Sequence, residues 1–161
     1  MAAWVRSRSN TTKVVVVIII LGFAGLAWWL ASPLFLSGPS ANQMIDNNGL
    51  TLISRGNLTS FNKAHYGMGM IELYEAGNGS LVIYFHNVTI ANGPDLLVYV
   101  SSKQNFSGIY DQRGNYVSFG SLPATRGNFS MQTASTVPFD IASVVVWCRS
   151  FRVLFTYATM T

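Results

Sequence analysis

From Val14 to Ala31 the chain carries no charged or strongly polar side chain, and after Lys13 the next charge is Asp46. So uniform a run predicts a helix that is apolar on every side, the pattern of a membrane span. At 1.5 Å per residue it reaches about 27 Å, and the turn that follows, 32–36, takes it past the roughly 30 Å of a bilayer's hydrocarbon layer. Pro33 and the pair Gly38-Pro39 are expected to stop it. Trp28 and Trp29 fall near the far end, where indole rings favour the headgroup region. Arg6, Arg8 and Lys13 all precede the span, which turns the N-terminus toward the cytoplasm. A cleaved signal peptide is the competing reading, but its apolar core is usually about 7–15 residues and ends at a small-x-small site. The run here is longer and Gly38-Pro39-Ser40 is a poor site, so a retained anchor is expected. Gly22, Ala24, Gly25 and Ala27 would permit close helix–helix contact, although spanning helices are rich in Gly and Ala in any case.

Beyond residue 48 the period changes to two. Short apolar runs alternate with glycine-containing turns about every ten residues, an all-β signature. Strands are expected near Gly49–Leu58, Met68–Ala76, Ser80–Asn87, Leu96–Ser101, Tyr116–Leu122, Gly127–Met131 and Ala142–Tyr157, the last long enough to be two strands or to contain a bulge. Gly77-Asn78-Gly79 suits a hairpin turn. Asn92-Gly93-Pro94-Asp95 is a second stop, because proline has no N–H to give a ladder. No helical period of useful length follows residue 40 and no repeat of 20–50 residues is visible, so a β-sandwich or compact β-barrel is the expected architecture. The predicted organisation is a basic cytoplasmic tail (1–13), a transmembrane helix (14–36), a linker (37–48) and one all-β domain (49–161).

Only 10% of the residues are charged, against roughly 25% in a soluble domain, which supports the membrane reading. The net charge of +4 does not point to nucleic acid. Three basic residues belong to the topological flank, and the remaining seven face six acidic residues, scattered rather than gathered in a stripe. Five N-x-[ST] sequons begin at Asn57, Asn78, Asn87, Asn105 and Asn128, on the side assigned to the exterior, where chance would supply about two. They fit either a glycosylated surface protein or an Asn/Thr-rich composition. A further sequon at Asn10 lies on the cytoplasmic side and is expected to stay bare.

The C-terminal stretch Val144-Val145-Val146-Trp147-Cys148-Arg149-Ser150-Phe151-Arg152-Val153-Leu154-Phe155 contains the chain's single cysteine. Strict alternation would put Phe151, Val153 and Phe155 on one face, and Cys148, Ser150 and Arg152 on the other. One cysteine excludes an internal disulfide.

From about Gly56 to Met160 the sequence resembles the DM13 domain family. The resemblance is carried by Gly56-Asn57-Leu58 leading to His65 and Gly69, by Asn92-Gly93-Pro94-Asp95-Leu96 with Val98-Tyr99-Val100-Ser101, by Gly120-Ser121-Leu122 and Gly127-Asn128, and by Ser143 to Phe151 with Phe155 and Ala158. The NGPDL and VVVWCRSF stretches are the distinctive ones. The resemblance implies an all-β extracellular module, often found with electron-transfer domains and acting in redox chemistry through its cysteine, as a thiol or as a ligand to a prosthetic group such as haem. Two positions depart from the family pattern: Phe129-Ser130-Met131 replaces an expected aromatic, and Thr156 stands where glycine is usual.

Three roles are open to Cys148. A thiolate beside Arg149 or Arg152 would be reactive or would ligate iron. A buried thiol beside Trp147 would act as a small hydrophobe. An exposed one would cross-link two molecules. His65 matches a family position and is the better second ligand; His86, Met68 and Met70 complete the potential donors. The order of residues argues against blue copper, because no histidine follows Cys148, and the absence of CxxCH excludes covalent c-type haem. Asp95 is expected to accept backbone N–H bonds in its own turn. No hydrolase motif is present, and no turnover of a small substrate is expected. Two functions from different classes remain. One is an extracytoplasmic redox module using Cys148, with His65 as possible second ligand. The other is a non-catalytic interaction module, either a cell-envelope component or a single-span accessory subunit of a larger membrane complex.

Overall fold

The computed structural model describes residues 10–35, 38–43, 46–133 and 136–161. The expected basic flank at Arg6 and Arg8, and part of the expected linker, lie outside the described residues. The chain divides into two compact units at Ser37/Gly38.

The first unit contains helix α1 (Asn10–Phe35), 26 residues or about 39 Å long. Its apolar side chains from Val14 to Leu30 are exposed around the whole circumference, and the segment Asn10–Ser32 is long and apolar enough to cross a membrane. The helix runs two residues past Pro33 instead of stopping there. Proline removes the N–H that would bond the Trp29 carbonyl four residues back, and the Ser32 hydroxyl donates to that carbonyl instead, at 3.2 Å.

The second unit is all-β, as the period of two requires. Nine strands are described: β1 (Ser40–Asn42), β2 (Leu50–Ser60), β3 (Gly67–Ala76), β4 (Leu81–Ile90), β5 (Leu96–Ser101), β6 (Tyr116–Ser121), β7 (Arg126–Thr133), β8 (Ser143–Cys148) and β9 (Val153–Thr159). They form one sheet, in the order β1-β7-β4-β3-β2-β9-β8-β5-β6, curled into a half barrel. Every pairing is antiparallel except β1 with β7. The curl occurs at β2, whose first part (50–57) pairs with β3 while its end (58–60) pairs with β9. Gly56 allows the close approach of β9, since a Cβ there would sit 2.1 Å from the Thr159 carbonyl oxygen. The long C-terminal stretch resolves into two strands and also carries a bulge. Val146 faces Thr156 while Trp147 faces Leu154, which leaves Phe155 as the extra residue.

The curl turns the inner faces of the two halves toward one shared core. Ile71, Leu73, Ile83, Phe85 and Phe129 of one half meet Val98, Val100, Val144, Val146 and Phe155 of the other, and Phe85 and Phe129 stack at 4.5 Å. A second cluster lies on the outer face of β5, β8 and β9, where Leu97, Tyr99, Val145, Trp147, Leu154 and Tyr157 pack with Phe106 from the connection 102–115. This connection thus covers one side of the half barrel.

Candidate functional site

Cys148 ends β8 with its side chain pointing inward, 0% exposed, in the core cluster that also contains Val146, Val153 and Phe155. This corrects the alternation expected for the C-terminal stretch. Residues 149–152 form a turn, with Arg152 at φ 55°, and the turn resets the phase between the strands. Cys148, Val153 and Phe155 therefore share the inner face, while Phe151 is 52% exposed.

The stretches that carry the family resemblance meet around this cysteine. Leu96, at the end of NGPDL, is its cross-strand partner on β5, and Val153 is its partner on β9. Asp95 was expected to pin its own turn; its carboxylate instead accepts a hydrogen bond from Arg149 Nε at 2.7 Å, and its carbonyl accepts one from the Arg149 N–H at 3.0 Å. The turn is thus tied to the residue that follows Cys148. Asn92 fastens the other side of the turn by accepting from the Thr125 hydroxyl at 3.0 Å. At Gly93 a Cβ would lie 2.7 Å from the tip of the Phe155 ring, so only glycine lets the turn close over that ring. His65 meets the same ring edge-on, with centroids 4.9 Å apart. Its Nδ1 lies 3.2 Å from the Asn62 side-chain oxygen, and burial lowers its pKa, which favours the neutral ring.

The potential donors are therefore packed rather than aimed at a common point. His86 lies elsewhere, its Nε2 2.8 Å from Glu72 Oε2, which also accepts from the Tyr74 hydroxyl at 3.0 Å. Met68 is exposed. Among the described residues, no group of three His, Cys, Asp or Glu side chains is arranged to hold a metal ion. Among the grooves on the β unit, those of about 500 and 570 Å³ are lined by neither Cys148 nor His65. With core side chains filling the space about the sulfur, the residues present do not fit a haem or metal bound at Cys148.

The 500 Å³ groove is the feature that the sequence reading missed. It lies on the outer face of β5, β6 and β8 and is lined by Tyr99, Tyr110, Gln112, Arg113, Tyr116, Trp147, Arg149 and Arg152. The Arg113 guanidinium sits over three rings, 5.0 Å from Tyr99, 4.1 Å from Tyr116 and 4.4 Å from Trp147. Burial raises the Tyr99 pKa and the positive charge of Arg113 partly opposes this. The connection 102–115 that delivers Arg113 is held by side chains. Lys103 Nζ contacts Asp111 at 2.6 Å, and the Asp111 carboxylate accepts the Ser107 and Gln112 N–H groups at 2.9 Å each. The bond to Lys103 is the main cause that brings the Asp111 pKa down to about 2. The Ser101 hydroxyl donates to the Arg113 carbonyl, and that of Ser143 to the Lys103 carbonyl. Arg149 and Arg152, expected beside the thiol, line this groove on the opposite face of β8. The available signal was the long connection 102–115 with Phe106, Tyr110 and Arg113, since an ordered loop of that length is uncommon and is often functional.

Neither a curated protein nor a solved structure matches the chain. Residues 60–160 match the family model described as Electron transfer DM13. That span runs from the end of β2 through β9 and includes both the Cys148 cluster and the groove. The chain belongs to the DM13 family.

Proposed function

We propose that this chain is a membrane-anchored DM13 module outside the cytoplasm that serves electron transfer as an accessory part, docking or supporting a redox partner, with Cys148 as a packing residue. The observation that carries this reading is the complete burial of Cys148 among apolar side chains, while Arg149 and Arg152 line the other face. A thiolate there would be desolvated with no cation beside it. The anchor is 14–36 and the β domain follows it, taking in β1 from the expected linker 37–48. Its orientation rests on the basic residues ahead of the span and on the sequons beyond it. Asn57, Asn78, Asn87 and Asn105 are exposed and open to glycosylation. The Asn128 amide is engaged, donating to Asn42 at 3.1 Å and accepting the Asn87 N–H at 2.8 Å.

A second reading keeps Cys148 as the redox residue, acting as a thiol. It is favoured by the convergence of the two distinctive stretches at this side chain, Leu96 of NGPDL being the cross-strand partner of Cys148. An ultraviolet–visible spectrum of the detergent-solubilised full chain, oxidised and dithionite-reduced, discriminates the two when recorded beside Cys148→Ala. The accessory reading expects a featureless spectrum and a thiol that a maleimide labels only after denaturation. Maleimide labelling of the native chain that disappears in Cys148→Ala would replace it with the second reading, and a Soret or thiolate-to-metal band that does so would overturn the packing role as well.

A further inference from the structure

The outer groove has an unusual balance of chemistry. Its lining contains three arginines, four aromatic residues and a glutamine, and no carboxylate. One of the three charges is already matched, because Arg149 is paired with Asp95. Among the described residues, neither Arg113 nor Arg152 has a carboxylate partner. The acidic residue nearest in sequence, Asp111, is bound to Lys103. The groove therefore has two positive charges that no protein group neutralises.

The geometry of Arg113 decides what those charges can do. A guanidinium held over Tyr99, Tyr116 and Trp147, and hydrogen-bonded to the Tyr99 side chain, is ordered, so its remaining N–H groups form a pre-oriented set of the kind that binds carboxylate, sulfate or phosphate oxygens. Little side-chain freedom is left to lose on binding, because the rings and the ordered connection 102–115 already hold it. Around the guanidinium, Tyr110 is 77% exposed and Tyr116 45%, which offers apolar ring surface and phenolic hydroxyls to the body of a ligand. The volume of about 500 Å³ falls within the usual range for small-ligand sites.

From this arrangement we infer that the groove is a binding site for a small oxyanion carried on a ring, such as an acidic sugar or an aromatic acid, with Arg113 and Arg152 as its anion-binding residues. The anion sits against the Arg113 guanidinium, Arg152 closes over it from the β8–β9 turn, and the ring lies against Tyr110 and Tyr116. The site is independent of Cys148, from which β8 separates it: Trp147 lines the groove and the next residue points into the core.

Isothermal titration of the full chain in detergent tests the assignment. The probes are a glucuronate-containing disaccharide and 4-hydroxybenzoate, with maltose and phenol as their neutral counterparts. At least one acid should bind at least about tenfold more tightly than its neutral counterpart, as one charge-assisted contact requires, and more weakly in high salt. Whichever acid binds better identifies the source of the ring. Arg113→Gln should abolish binding. Because that change also removes the ring contacts, Arg152→Asn is the decisive variant: asparagine tolerates the left-handed turn position, so the fold should persist while affinity falls about tenfold. No binding of either acid, equal binding of the neutral compounds, or an Arg152→Asn protein with intact melting and unchanged affinity would each overturn the assignment.

Discussion

The two faces of β8 are one residue apart and do opposite things. On the inner face Cys148 is closed in by Leu96, Val153 and Phe155, with Gly93 and His65 packed behind that phenylalanine. On the outer face Trp147 opens into a groove in which Arg113 lies across it. Both faces draw on the stretches that mark the family, which put Leu96 and Cys148 inside and Tyr99, Trp147 and Arg149 outside, but only the outer one also depends on a connection without a recognisable motif. Neighbouring residues of one motif thus point to opposite sides, and the residues lining the groove are scattered from Tyr99 to Arg152. A motif marks where the chain has little freedom, which need not be where it meets another molecule.

This contrast breaks most readily at Phe155. Phe155→Ala removes the ring that Gly93 and His65 both touch, and should cost about 3–5 kcal/mol of unfolding free energy, measured by urea denaturation of the detergent-solubilised chain. If the two faces are independent, a chain that remains folded should keep its groove. Asp95→Asn sits between the faces, because Asp95 belongs to the motif turn while Arg149 lines the groove. The pair is at the surface, with Arg149 70% exposed, so solvent screens it and the loss should be much smaller than that of Phe155→Ala in the same assay. The smallest effect should come from acid. The Asp111 pKa lies near 2 in the folded chain against 3.8 ordinarily, so its stabilising contribution is present above about pH 4 and is lost as the pH falls toward 2. Amide resonances of Ser107 and Gln112 should shift across that window while those of the β8 core stay fixed, since the carboxylate bonds only within its own connection.

Much of the inner face was legible in the sequence. Period-two patterning gave strands near their true positions, and Gly77-Asn78-Gly79 makes the expected turn, with the Ala76 N–H donating to the Ser80 carbonyl at 2.9 Å. What pattern alone missed has specific causes. Strand β1 is three residues long and polar, and it exists only because β7 offers an edge to pair with. The orientation of Cys148 was read the wrong way because alternation was carried through residues 149–152, where the chain turns. The groove could not be read locally, since its residues come from β5, the connection 102–115, β6, β8 and the β8–β9 turn, and only the sheet brings them together.

Strand β9 joins the two halves of the sheet, lying between β2 and β8. Beyond it, Thr161 exchanges both backbone hydrogen bonds with Arg55, at 3.1 and 3.0 Å. During synthesis, then, β2 emerges about a hundred residues before the partner that completes its pairing. Until residues 153–161 arrive, the halves are separate sets of strands with open edges, and closure is a slow, high-contact-order step. The nascent chain must be kept from pairing with its neighbours through that interval. Deleting the last nine residues should therefore leave two unjoined sheets that aggregate, with none of the half barrel preserved.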